Sequence, residues 1–128
     1  MIYLDTSVAL AELLAEDRHP PGEFWDQEII SSRLLEYEVW NAIHRLQLQE
    51  SHGESARRLI ESIAIAELSR EILRRAIEPF PSPVRTLDGL HLSTFLFLQE
   101  QRIEVSLATY DRRMTDAAEP LGIPLARV

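Results

Sequence analysis

The chain opens with Ile2-Tyr3-Leu4-Asp5-Thr6-Ser7 and continues directly into Val8-Ala9-Leu10-Ala11-Glu12-Leu13-Leu14. The first three residues form a short apolar run, which predicts a buried strand. Thr6 or Ser7 can accept hydrogen bonds from the first free N–H groups of a helix, so we expect a helix to begin there. His19-Pro20-Pro21-Gly22 ends that helix. A strand that runs directly into a helix is the repeating unit of α/β folds.

The remaining sequence repeats this alternation of short apolar runs and helical periodicity. Ser51-His52-Gly53 is expected to end one helix, and Pro79–Pro83 is expected to be a loop inside one domain, residues 1–128. Thr86 is expected to cap a later helix. The pattern predicts strands at 28–31, 104–109 and 123–125, the last at an edge, and helices at 32–49, 54–62, 69–77, 86–98 and 111–119, while 63–66 fits either a strand or more helix. This order predicts an α/β sandwich around a mostly parallel sheet.

Composition excludes several classes of protein. All 13 basic residues are Arg, so a P-loop, which needs its Lys, is excluded. The absence of Cys excludes disulfides and Cys-ligated zinc. No basic leader precedes an apolar run, and no run approaches the roughly 18 residues of a membrane span, so we expect a cytoplasmic protein without a membrane segment. The net charge of −8 opposes unspecific attraction to nucleic acid, which would require local Arg or metal ions held by the acids.

Acidic residues recur at the predicted junctions between strands and helices. Asp5 and Asp111 follow strands, and Asp88 lies in the first turn of a helix. If the strands are parallel, Asp5 and Asp111 share one edge of the sheet, where ionised carboxylates repel one another unless a cation lies between them. Such oxygen ligands suit Mg²⁺ or Mn²⁺. Each acid alone also fits a helix cap or a complement to the helix dipole. Periodicity does not decide whether Glu36 or Glu38 is a fourth member.

Four segments, in order and at matching spacing, resemble the motifs of PIN-domain ribonucleases. The resemblance covers nearly the whole chain and selects Glu38 over Glu36, because the family's second motif places a Glu four residues before an Ala. The chain departs from the family in carrying Gly89 where Ala is more usual. The segments are Ile2–Ser7, Leu34–Ala42, Arg85–Leu92 and Leu107–Arg113, followed by the ending Leu121–Pro124.

The resemblance implies a three-layer α/β/α PIN-like domain of the compact VapC toxin type, acting as a Mg²⁺- or Mn²⁺-dependent endoribonuclease. It further implies a homodimer and a cognate VapB-type antitoxin. The implied catalytic and metal-binding residues are Asp5, Glu38, Asp88 and Asp111, with Thr6, Thr109 and Asp116 as supporting or additional candidates.

Two other functions stay open at this point. The first is a catalytically inactive PIN-like binding module, whose acids only cap helices. The second is an acid-cluster phosphatase, although such enzymes normally carry an Asp two residues after the nucleophile, where this chain has Ser7. The role of three arginines is also open. They are candidates for binding RNA phosphates but equally fit charge balance on an acidic surface, and they are Arg85, Arg112 and Arg113. His91, on an apolar stripe, is interpreted as a core residue with one hydrogen bond.

Overall fold

A sheet of four parallel strands forms the centre of the computed structural model, which describes residues 1–128. The spatial order of the strands is β3-β2-β1-β4. None of the helices combines the length and the apolar character that a membrane span requires. The strands are β1 (Ile2–Leu4), β2 (Ile29–Ser32), β3 (Ala64–Ala66) and β4 (Ser106–Ala108). The helices are α1 (Thr6–Leu13), α2 (Arg33–Arg45), α3 (Gln49–Ser62), α4 (Arg70–Ala76), α5 (Thr86–Glu100) and α6 (Arg112–Ala118), with short 3₁₀ turns at Gly22–Asp26 and Glu119–Leu121.

The inner strands β1 and β2 are buried on both faces, because their side chains alternate between two hydrophobic cores, whereas the edge strand β3 is partly exposed. Ile2 and Leu4 pack in one core with residues of α1, α2 and α3. Tyr3 points to the opposite side and packs in a second core with Phe95 of α5 and Met114 of α6. Continuous apolar strands are typical of parallel sheets covered by helices on both faces. The predicted α/β/α layers are therefore confirmed.

The order of the strands fixes where a site can form. The chain passes from β1 outward through β2 to β3, then returns across the sheet so that β4 pairs with the other side of β1. The connection that follows β1 leads to one side of the sheet, and β4 lies on the other side of β1, so the strand order reverses between β1 and β4. At such a point the loops that follow the two strands diverge and leave a crevice at the carboxyl edge of the sheet. Asp5 and Asp111 follow these two strands.

Some predicted boundaries were wrong. The first helix is capped by Asp5, whose carboxylate accepts from the Ser7 N–H, rather than by Thr6 or Ser7. The fifth helix begins at Thr86 itself, so the capping position falls on Arg85 and Thr86 is not the cap. Segment 123–125 contributes one isolated bridge, between Leu107 and Leu125, and not a strand, since Pro124 has no N–H to donate.

Gly53 does not end a helix. The break lies earlier, at Gln47, whose φ of 57° closes α2 before α3 begins at Gln49. Gly53 is buried inside α3, and a Cβ there would lie 3.6 Å from the Trp40 ring. This is an ordinary van der Waals distance, so the packing of α3 on α2 leaves room for a methyl group at this position. The open segment 63–66 contains β3, and Pro79–Pro83 is a loop as predicted.

Candidate active site

Asp5 is a buried carboxylate held in place by three donors. Its Oδ2 accepts hydrogen bonds from the Ser7 N–H and hydroxyl and, at 2.8 Å, from the Thr109 hydroxyl. The Ser7 hydroxyl in turn accepts from the Tyr110 N–H at 2.9 Å. These bonds tie the start of α1 to the loop after β4. Because all three donors share Oδ2, Oδ1 takes no part in this network.

Asp111 is positioned by the same loop. The Thr109 hydroxyl that donates to Asp5 accepts from the Asp111 N–H at 3.0 Å. Asp111 caps α6 as predicted, since its Oδ1 accepts from the Arg113 N–H at 2.9 Å. Thr109 therefore connects the two acids at the crevice, and Asp111 again has one carboxylate oxygen outside the hydrogen bonds.

Asp88 is half-buried in the first turn of α5. Burial raises the pKa of this carboxyl, and the nearby charges of Asp111 and Asp5 raise the pKa further. The mutual influence of these groups means that the structure brings three of the four predicted acids into one electrostatic site. The site concentrates negative charge without an equal number of neighbouring cations.

Glu38 reaches the site from α2 and belongs to a buried hydrogen-bonded chain. Its Oε1 lies 2.9 Å from the Thr6 hydroxyl, which donates to it, and 2.6 Å from His91 Nε2. The other ring nitrogen of His91, Nδ1, lies 2.9 Å from the Tyr3 hydroxyl. Tyr3 is fully buried, and this burial raises the pKa of its phenol above the usual range. Glu36 lies elsewhere, in an exposed ion pair with Arg33.

The candidate arginines are divided by the structure. Arg85 and Arg113 line a cleft of about 170 Å³ together with Asp88 and Asp116. Arg112, the first residue of α6, is exposed and does not line this cleft. Asp116 is exposed and makes no hydrogen bond with the other acids. The cleft therefore pairs two guanidinium groups with the acidic edge of the sheet.

The carboxylate oxygens of the four acids suit a divalent cation, although they do not enclose a site for it. No three of the acidic and histidine side chains stand at the mutual distances of a closed metal site. Mg²⁺ requires no such cage, because it keeps several waters and binds proteins through one or two carboxylates. Asp5 and Glu38 each present one oxygen outside their hydrogen bonds. The raised pKa of Asp88 reflects its burial first and then the charges of Asp111 and Asp5, which a cation would offset.

Three residues near the acids were not identified by their sequence pattern. Ser7, considered only as a helix cap, orients Asp5. Tyr3, considered only as part of a strand, contacts His91. His91 is a core residue, as interpreted, but its second ring nitrogen contacts Glu38, which the pattern of one helix could not reveal because the partner lies 53 residues away.

Comparisons with known proteins show the family of this chain. The model of the PIN domain family matches residues 2–120. Ribonuclease VapC46 of Mycobacterium tuberculosis is 34% identical over 131 residues, covering 95% of this chain and 93% of the relative. Ribonuclease VapC47 of the same species is 26% identical, with 98% and 96% covered.

Solved structures share the fold at lower identity. The crystal structure of the M. tuberculosis toxin VapC20, described as cleaving the sarcin-ricin loop, superposes with a TM-score of 0.72 at 18% identity over the full length of both chains. A toxin–antitoxin complex from Klebsiella pneumoniae superposes with a TM-score of 0.58 at 16% identity over 87% of each chain. With a family match across nearly the whole chain and a ribonuclease relative one-third identical, this chain belongs to the PIN domain family, among its VapC-type ribonucleases.

Proposed function

We propose that the protein is a metal-dependent endoribonuclease that hydrolyses RNA phosphodiester bonds as the toxin of a VapBC-type pair. The observation that carries the proposal is the Thr109 hydroxyl, which connects Asp5 and Asp111 at the crevice between β1 and β4. The charges of these two acids act on Asp88, and the Thr6 hydroxyl, next to Asp5 in the chain, holds Glu38. The relatives named as VapC ribonucleases support the activity. The structural neighbour described as a toxin–antitoxin complex supports the antitoxin as partner.

The residues of the site have separable tasks under this proposal. Asp5, Glu38, Asp88 and Asp111 hold the metal through carboxylate oxygens, and Thr6 and Thr109 keep two of those carboxylates in place. When bound, Mg²⁺ or Mn²⁺ supplies polarisation of the phosphoryl oxygen and a more acidic water. A carboxylate oxygen outside the hydrogen bonds accepts the proton of the attacking water, so no separate histidine base is required.

The substrate is held beside the acids. Arg85 and Arg113 line the cleft next to Asp88, where their guanidinium groups can bind phosphates of the RNA backbone in bidentate fashion. This local pair supplies positive charge on a protein whose net charge of −8 otherwise repels RNA. Arg112 lies outside the cleft and is assigned no contact. Asp116 lines the cleft and is proposed as an additional ligand of lesser importance.

The remaining features follow from the family. We propose that residues 1–128 act as a single PIN-like domain, because the family model extends over residues 2–120. We also propose a homodimer in the cytoplasm that is bound by a VapB-type antitoxin. These assignments rest on the resemblance to VapC toxins.

Two neighbouring glutamates on α2 offer a matched test. Glu38→Gln removes a proposed ligand. Glu36→Gln makes the same chemical change at an exposed acid that is paired with Arg33 instead. In a cleavage assay with a pool of tRNA and rRNA and added Mn²⁺ or Mg²⁺, we expect Glu38→Gln and Asp5→Asn to lose at least 100-fold in rate. The Glu36→Gln variant should cleave at the wild-type rate, and EDTA should stop this cleavage.

Asn at position 5 can still accept from Ser7 and Thr109, so the Asp5→Asn variant should fold. Equal cleavage by wild type and Asp5→Asn would refute the assignment. Absence of both cleavage and metal binding in the wild type would favour the inactive binding module instead.

A further inference from the structure

A buried chain of polar groups leads from the sheet to Glu38. Tyr3 of β1 and His91 of α5 are 0% and 1% exposed, and their contact joins the central strand to the helix that carries Asp88. His91 Nε2 then lies 2.6 Å from Glu38 Oε1 on α2. The three residues come from three different elements. Their alignment therefore depends on the complete fold and not on any single helix.

The chemistry of the partners indicates where the protons of this chain lie. An ionised carboxylate only accepts, so the contact with Glu38 favours a proton on His91 Nε2. A buried phenol usually places its O–H on an acceptor, and His91 Nδ1, at 2.9 Å, accepts it when that nitrogen carries no proton. Together these contacts favour the tautomer of His91 with its proton on Nε2.

We propose that His91 is a positioning residue for the nuclease site: Tyr3 holds its imidazole in the Nε2–H form, and that N–H, with the Thr6 hydroxyl, fixes Glu38 Oε1 so that Oε2 remains free for the metal. This inference rests on the proposed function. Glu38 is a long side chain that loses considerable rotamer freedom when it binds a cation. Two donors on one oxygen remove that freedom before the cation arrives, and partners of this kind are typically worth 10–100-fold in metal affinity.

Three substitutions separate positioning from a packing role. His91→Gln keeps a side-chain N–H that can reach Glu38, His91→Leu keeps an apolar volume without a donor, and Tyr3→Phe removes a single oxygen. His44→Leu, at an exposed histidine of α2, serves as the control. The readouts are the dissociation constant of Mn²⁺ measured by calorimetry on the metal-free protein, and the ¹⁵N spectrum of the histidine rings, which reports the tautomer without any metal.

We expect the wild-type spectrum to show His91 protonated at Nε2, and Tyr3→Phe to show a mixture of tautomers. His91→Leu should weaken Mn²⁺ binding by about 10–100-fold. For His91→Gln and for His44→Leu, the dissociation constant of Mn²⁺ should stay within about threefold of wild type, far below that loss. Where His91→Leu fails to fold, Tyr3→Phe provides the affinity measurement, with an expected loss of several-fold.

The outcomes distinguish this proposal from the one on which it rests. Wild-type affinity in folded His91→Leu, equal losses in His91→Leu and His91→Gln, or a wild-type imidazole protonated at Nδ1 alone would each overturn the positioning role and leave the proposed nuclease intact. A wild-type protein that neither binds Mn²⁺ nor cleaves RNA would overturn the proposed function itself.

Discussion

The Ser7 hydroxyl occupies the junction that holds Asp5, and its removal should cost measurable stability. The hydroxyl donates to Asp5 Oδ2 and accepts from the Tyr110 N–H. A hydrogen bond to a charged group contributes about 1.5–3 kcal/mol, and an N–H left without an acceptor adds a further cost of about 1 kcal/mol or more. Ser7 is only partly buried, so water recovers part of this loss.

The free energy of unfolding of Ser7→Ala should therefore fall by about 2 kcal/mol, after a gain of about 0.5 kcal/mol from the higher helix propensity of Ala. For a domain of this size, that loss corresponds to a decrease in Tm of roughly 6–10 °C. The assay is thermal and urea denaturation of metal-free protein, monitored by circular dichroism.

Ser55→Ala provides the matched control, because Ser55 is exposed on α3 and makes no side-chain hydrogen bond. Its free energy of unfolding should change by less than about 0.5 kcal/mol. If Ser7→Ala and Ser55→Ala melt at the same temperature, the hydroxyl does not hold Asp5, and the reasoning about the junction is refuted.

Two further predictions concern charge and packing. Because burial and the charges of Asp111 and Asp5 raise the pKa of Asp88, the folded protein binds this proton more tightly than the unfolded chain does, and stability is lost as the pH rises from the unfolded pKa through the folded one. In EDTA, Asp88→Asn should therefore gain Tm over wild type at pH 7 and lose that advantage near pH 4; calorimetry that shows the same difference at both pH values would contradict this. For packing, Gly53→Ala should stabilise the protein by about 0.5–1 kcal/mol, since its Cβ meets the Trp40 ring at an ordinary 3.6 Å. Gly89→Ala should gain less, because its Cβ would lie 3.3 Å from Val84, and urea denaturation that ranks the two variants in the reverse order would refute the packing argument.

The layers and most elements could be predicted because they depend on local pattern. Ile2–Leu4 is apolar and short, Ser69 accepts from the Ile72 N–H as a helix cap, and Asp111 caps α6. The failures occur where tertiary contact overrides local preference. Gly53 signals a helix end in isolation, but in the folded protein it lies against Trp40 inside α3. Gln47, which closes α2 with a positive φ, carries no such signal in the sequence.

The candidate site divides in the same way. Helical periodicity left Glu36 and Glu38 equivalent, and only the resemblance to PIN-domain ribonucleases favoured Glu38. The structure gives the physical distinction, since Glu38 meets Thr6 and His91 whereas Glu36 meets Arg33. Contacts between residues so distant in sequence depend on how α2 and α5 pack, and the helical periodicity of either segment does not reveal that packing.

The most direct test of the central claim is the chemistry of the cleaved RNA ends. Hydrolysis by water at a carboxylate-held metal does not use the ribose 2′-hydroxyl, so it forms no cyclic phosphate. The resemblance to PIN-domain ribonucleases further implies 5′-phosphate and 3′-hydroxyl ends. Wild-type protein with Mn²⁺ should therefore produce these ends, and EDTA should abolish them. Ends of this kind that disappear in Asp5→Asn would establish the site at the crevice between β1 and β4. Cyclic 2′,3′-phosphate ends that persist in EDTA would contradict it.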